Sequence, residues 1–180
     1  MTFSEAVRTC FSKFFTFSGR ASRPEYWFFF LFVVIWGFIA GMIDWQFFTQ
    51  VSVTESDEVK SVTATSSAPV QSIVGLIVFF PHLAVAWRRM HDTGRSGLYA
   101  LLPILLVLGA FAVLIFGIGI ASSFQHGGTL DILFTRATLL IVIPTLIVLV
   151  VSPLLVLWWL TRPSHPGTNQ YGPNPHEVAQ

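Results

Sequence analysis

The sequence is poor in charge: Asp, Glu, Lys and Arg make up 11% of its 180 residues, where a soluble domain has about a quarter. That shortage excludes an ordinary soluble fold, and 53% of the residues are hydrophobic, with 18 Phe among them. A single cysteine, Cys10, excludes an intramolecular disulfide and any Cys-based metal site. Neither G-x-S-x-G nor H-E-x-x-H is present, and the repeated aspartates of metal-dependent phosphatidyltransferases are missing. No catalytic residue is therefore assigned and no cofactor is expected. His82, His91, His126, His165 and His176 lack ligand spacing, so no metal is expected either. No nucleic-acid partner is expected, and there is no Asn-x-Ser/Thr sequon. A cleaved signal peptide is not expected, because the first apolar run starts only at Tyr26 and offers no small-residue cleavage site.

What is present is four uncharged windows, Tyr26 to Ile43, Ser61 to Trp87, Ser96 to Leu130 and Ala137 to Thr161. Each can hold a spanning helix, which needs about 20 mostly apolar residues. Helices are the option that satisfies the backbone in hydrocarbon, since the runs lack the alternation of an outer-membrane strand. The expected fold is all-α and polytopic, a single membrane domain over 1–180. It comprises an amphipathic segment (1–25), spans at about 26–43, 70–87, 98–121 and 139–160, and a tail (161–180). Pro81, Pro103, Pro144 and Pro153 fall inside spans, where neighbours can satisfy the carbonyls that proline frees.

Lys and Arg set the expected orientation. Arg8, Lys13, Arg20 and Arg23 precede the first span, Arg88, Arg89 and Arg95 separate the second from the third, and Arg162 follows the fourth. The alternate loops hold only Lys60 and Arg136, so both termini and the middle loop are expected in the cytoplasm. The segment from Asp44 to Gln71, with Glu55, Asp57, Glu58 and then SVTATSSAP, is expected to be an extended or mobile external loop.

Ahead of the first span, Phe3, Ala6, Val7, Cys10, Phe11, Phe14 and Phe15 recur at helical spacing opposite a polar face. The helix this predicts lies either in the membrane interface or against the end of the bundle. Ser22, Pro24 and Glu25 then predict a capping box at the start of span one.

The most polar internal stretch is RRMHDTGRSG, Arg88 to Gly97. Span two can run on through His91, with Thr93-Gly94 ending it and Ser96 capping span three. The arginines then anchor topology, with Asp92 pairing one of them, or else form an anion pocket for a phosphate or headgroup. His91 and Asp92 are adjacent and point about 100° apart on a helix, so they form no dyad with each other. His82 is the titratable side chain placed well inside a span, a candidate relay or ligand group that could equally donate to a carbonyl freed by Pro81. Gly37 with Gly41, and Gly117 with Ala121, allow close helix approach, within the bundle or between protomers.

Three pieces together resemble one family: GRASRPEYW (Gly19 to Trp27), Pro81 followed by RRMHDTGRSG, and PGTNQYGPNP (Pro166 to Pro175). They resemble the bacterial inner-membrane proteins grouped as domain of unknown function 805. The resemblance covers nearly the whole chain, and the long Ser/Thr-rich segment after span one departs from it. It implies a small polytopic inner-membrane protein and supplies no activity, substrate or catalytic residue. Joined to the expected topology, it places all three pieces on one face. Arg20, Arg23, Arg88, Arg89, Arg95, Asp92, Asn169 and Tyr171 are then expected to converge beneath the bundle, with Glu25 and His91 in the same network.

The function expected is that of a non-enzymatic protein of the bacterial inner membrane whose cytoplasmic arginine-rich face binds anionic lipid headgroups or a partner. A homo-oligomer or a second membrane protein is the candidate protein partner. The alternative is a small transporter or channel component, which requires a polar, water-accessible path past His82. Third is a lipid-headgroup enzyme, which requires a cleft joining His91 to the tail.

Overall fold

The fold grows from helix ends whose caps are written in the sequence. A computed structural model describes residues 1–55, 60–123 and 129–177. Helix α1 (Phe3–Ser12) starts at Thr2, whose Oγ1 accepts from Glu5 N while the Glu5 carboxylate accepts from Thr2 N at 2.7 Å. Its apolar face buries Ala6 and Cys10 completely. Helix α2 (Arg23–Phe48) starts at Ser22, whose hydroxyl accepts from Glu25 N. Phe11 of α1 packs edge-on against Phe29 and Phe32 of α2, so α1 is seated on the bundle while Phe15 beyond it stays exposed.

The segment after span one, expected to be an extended or mobile loop, is extended and paired as a β-hairpin. Strands β1 (Thr49–Glu55) and β2 (Lys60–Ser66) pair antiparallel, from Thr49 opposite Ser66 to Glu55 opposite Lys60. The Val and Thr residues that make the segment low in complexity are also strong strand formers, which is why the pairing extends over both strands. Asp57 and Glu58 lie outside the described residues.

Helix α3 (Pro69–Asp92) has no side-chain cap of its own at Ala68. Asp44 of α2 supplies one, its carboxylate oxygens accepting from Val70 N at 3.0 Å and Gln71 N at 2.8 Å. At the other end Gly94 adopts φ +78°, Gly94 N donates to His91 O and Arg95 N to Met90 O, which is a Schellman stop. A 3₁₀ turn (Gly97–Leu101), capped by Ser96, leads into α4 (Leu102–Ser123), and α5 (Thr129–Thr161) completes the helices. The helices outrun the apolar windows because polar flanks continue the helical hydrogen bonding: α3 reaches Asp92 and α5 begins at Thr129.

Among the described residues, 23–48, 69–92 and 142–161 are long and apolar enough to cross a membrane. A shorter apolar stretch, Gly97–Ala112, carries the turn into α4. This is an α-helical membrane protein. Helix α2 packs on α3 and α4 on α5, giving two helical hairpins, with α3 also meeting α1, the 3₁₀ turn and α5. The buried apolar cluster, including Cys10, Phe29, Val85, Met90, Val156 and Leu160, joins α1 to the adjoining ends of α2, α3 and α5. Elsewhere large side chains such as Phe38, Leu76 and Leu108 point outward, as a lipid-facing surface does. Gly37 and Gly41 have no backbone neighbour close enough to demand glycine, and Gly117 with Ala121 lies outside the residues whose packing is described.

Candidate functional site

The last turn of α3 carries Arg88, Arg89 and Asp92, and helical geometry puts Arg89 and Asp92, three residues apart, on one face. They form an ion pair there, and both are completely buried. The second Asp92 oxygen accepts from Arg20 Nε at 2.9 Å. One carboxylate therefore serves two guanidinium groups from distant parts of the chain.

Each guanidinium spends its remaining donors on backbone carbonyls. Arg89 donates from Nε to Leu160 O at 3.1 Å and from Nη2 to Arg162 O, thereby capping the C-terminal end of α5. Those carbonyls lack intrahelical partners and carry the negative end of the helix dipole, so a cation suits them. Arg20 donates to His165 O at 2.6 Å and to Gly167 O at 2.7 Å, gripping the tail. His165 N donates in turn to Asp92 O at 2.8 Å, and the Ser164 hydroxyl donates to the Asp92 carboxylate.

The tail is a folded turn. Gly167 and Gly172 adopt φ +68° and +130°, Asn169 and Gly172 exchange backbone hydrogen bonds, and Asn174 is buried. Asn169 Nδ2 donates to His91 O at 2.9 Å, and the Tyr171 ring stacks on the His91 ring at 3.7 Å with the planes 2° apart. Because Gly19 O can only accept, His91 donates to it through Nδ1–H, at 3.0 Å. His91 is thus held between the N-terminal segment and the tail.

The three quoted motif pieces meet here: Arg20 from the first, Arg89, His91 and Asp92 from the second, Asn169 and Tyr171 from the third. The family described as "Protein of unknown function (DUF805)" matches residues 14–173. The chain belongs to the DUF805 family. The inner membrane protein YhaH of Escherichia coli is 35% identical over 104 residues, 56% of this chain and 73% of that protein. The inner membrane protein YhaI of the same organism is 37% identical over 101 residues, 56% of this chain and 71% of that protein. No solved structure matches. Both relatives are named as inner membrane proteins, and the apolar helices of this chain are those of a membrane protein.

The other expected residues of this DUF805 protein divide in two. Glu25 and Arg88 join the interior: Arg88 Nη1 donates to Glu25 Oε1 at 2.6 Å, with Arg88 1% exposed. The capping box expected at Ser22 is half formed, because the Glu25 side chain turns away from the cap to meet Arg88. Arg88 Nε and Nη2 have no partner among the described residues. Cys10 lies beside this pair, and burial together with the Glu25 charge pushes its thiol up to about 12. Arg23 joins the network only at its edge, through the Arg162 carbonyl that Arg89 also reaches, and Arg95 stays outside it. Arg23 reaches Arg162 O from an exposed position, and the Arg95 guanidinium sits 5.2 Å from the Trp159 ring centre.

Several residues that the sequence did not single out complete the site. Trp87 packs between Phe17, His91 and Gly97, and a Cβ at Gly97 would fall 2.0 Å from the indole Nε1. Arg162 lies 4.6 Å from the Trp158 ring centre, so two arginines and two tryptophans form an outer rim. Ser164 and His165 carried no signal, since what they meet is a carboxylate and a carbonyl from elsewhere in the chain.

His82 is placed apart from this network, among the rings of Tyr26, Phe29 and Phe30. It makes no hydrogen bond to a carbonyl near Pro81 among the described residues, and its Nδ1 is enclosed without a partner. The cavity it lines has no charged side chain in its wall, so it is not the polar path that transport requires. The described residues also include no group of three or more metal-ligating side chains.

Proposed function

We propose that this protein is a non-enzymatic, multi-pass inner-membrane protein whose polar end faces the cytoplasm and presents a rigid cationic rim to anionic lipid headgroups. One observation carries the reading. The inner arginines, Arg20, Arg88 and Arg89, are 8%, 1% and 0% exposed and are engaged by carboxylates and carbonyls within the fold. Arg8, Lys13, Arg23 and Arg162 are instead exposed, with Arg95 half-buried over Trp159.

The division follows from solvation. A buried cation must be paired inside the protein, and one buried this deeply is out of a headgroup's reach, Arg88 included although its Nε and Nη2 have no partner among the described residues. A cation on the rim keeps free N–H groups for bidentate contact with a phosphate. Trp158 and Trp159 set the depth, because indole rings favour the headgroup layer. Each basic residue near an anionic leaflet contributes about 1 kcal/mol of attraction. The inner network makes the rim rigid and so lowers the ordering cost of binding.

The test is reconstitution of the full chain in nanodiscs of phosphatidylcholine with or without phosphatidylglycerol, followed by native mass spectrometry of retained lipid. Phosphatidylglycerol is expected to be retained preferentially. The triple substitution Arg23→Gln, Arg95→Gln, Arg162→Gln is expected to abolish that preference while leaving thermal stability close to the parent. Undiminished preference in the triple variant overturns the reading.

A further inference from the structure

Above the arginine layer, between the two helical hairpins, lies a cavity of about 310 Å³. That is at the lower end of the range for small-molecule sites. All four long helices contribute to it: Tyr26 and Phe30 from α2, Phe79 and His82 from α3, Ile104 from α4, and Pro153 from α5. Its floor is Leu160, whose carbonyl accepts from Arg89. His82 precedes Arg88 by six residues, which on a helix is about 9 Å. The cavity therefore sits at the border of the hydrocarbon and the polar end. Phe79 and Ile104 in its wall are 47% and 41% exposed, so its mouth opens sideways between the hairpins.

Tyr26 and His82 are the polar side chains in this wall. Neither makes a hydrogen bond among the described residues. His82 Nδ1 is enclosed, whereas His82 Nε2 and the Tyr26 hydroxyl are not among the enclosed unpartnered atoms. A neutral imidazole has one N–H and one lone pair. An orphaned buried N–H is rarer in proteins than an under-satisfied acceptor, which favours the lone pair on Nδ1 and the proton on Nε2. The cavity then offers two donors, Nε2–H and the Tyr26 O–H, from rings whose centres are 5.7 Å apart. Two donors side by side suit a ligand oxygen with two lone pairs. An uncharged wall, with rings at Tyr26, Phe30, Phe79 and His82 and aliphatic side chains elsewhere, suits a neutral, flat, apolar body. A sideways mouth calls for delivery through the bilayer.

We propose that this cavity binds the ring of a membrane quinone, with His82 and Tyr26 donating to one ring carbonyl and the isoprenoid tail leaving past Phe79 and Ile104 into the lipid. The rim cations take no part, so this site and the lipid rim stand or fall separately. A lipid ester carbonyl offers the same acceptor without the flat ring.

The test is titration of the full chain in phosphatidylcholine nanodiscs with decylubiquinone, with dioleoylglycerol as the ester-bearing comparator, read by native mass spectrometry. Decylubiquinone is expected to bind saturably at one site and dioleoylglycerol not to compete. His82→Phe and Tyr26→Phe, each keeping the ring and removing a donor, are expected to weaken binding roughly three- to tenfold. Ala100→Phe, which fills the cavity, is expected to abolish it. Thermal unfolding identifies variants that retain the fold, and only those are compared. Absence of saturable binding, equal binding of dioleoylglycerol, or unchanged affinity in both donor variants overturns the proposal.

Discussion

Arg20 Nε and Asp92 Oδ1 are 2.9 Å apart although 72 residues separate them in the chain. Both side chains are almost completely buried, so the bond forms in a setting where an unpaired charge is costly. It ties the segment before α2 to the end of α3, and through Arg20 to the tail carbonyls of His165 and Gly167.

Removing the charge at Asp92 leaves Arg20 and Arg89 facing each other without a counter-ion. Asp92→Asn is expected to cost about 3–5 kcal/mol, the usual penalty for breaking a buried pair. A double-mutant cycle of Arg20→Gln with Asp92→Asn, followed by denaturant unfolding in detergent, should show a coupling above ~1 kcal/mol. Strict additivity would mean that the two side chains do not interact in the membrane-bound protein.

Gly97 has no room for a side chain, because Trp87 occupies the position of its Cβ. Gly97→Ala is expected to destabilise by about 1–3 kcal/mol, as overpacking does. In a Trp87→Ala background the same substitution should be nearly neutral. Thermal unfolding of the four proteins checks this, and an equal cost in both backgrounds rules out the contact as its cause.

Asp44 caps α3 from α2, at the end of the hairpin opposite the arginines. Asp44→Ala is expected to cost about 1–3 kcal/mol and to speed hydrogen exchange at the Val70 and Gln71 amides specifically. Asp44→Asn, which keeps an acceptor oxygen, should lose less. Unchanged exchange at those two amides in Asp44→Ala would remove the capping role.

Burial raises the Cys10 thiol from 9.0 to about 12, so the thiolate that alkylating agents attack is scarce across the neutral range. Iodoacetamide labelling of the folded protein is expected to stay slow up to about pH 10 and to become fast at pH 8.5 once the protein is denatured. The sign for stability follows. A folded pKa above the unfolded one gives stabilisation that is full below pH 9.0 and is lost as pH rises toward 12. Rapid labelling of the folded protein at pH 8 would show that Cys10 is not enclosed.

The start of α2 and the stop of α3 were legible because their signals are local. Ser22 and Pro24 start α2 where the capping rules place them, and Gly94 stops α3 after the turn that Thr93-Gly94 implies. The hairpin at 49–66 was missed because its composition suits both a strand and a solvated loop, and only pairing decides between them. The partners of the arginines were illegible for a related reason. Arg88, Arg89 and Arg95 look alike in sequence, yet the first two face inward to Glu25 and Asp92, and the third lies over Trp159.

By itself the sequence determined that the chain is an α-helical membrane protein, because long apolar runs can satisfy their backbone in lipid only as regular structure closed on itself. It also determined where α2 begins and where α3 ends, since caps act over a few residues. The tertiary structure decided which charges are spent inside and which remain available. That depends on burial, and burial is a property of the assembled end of the bundle, where α1, α3, α5 and the tail meet.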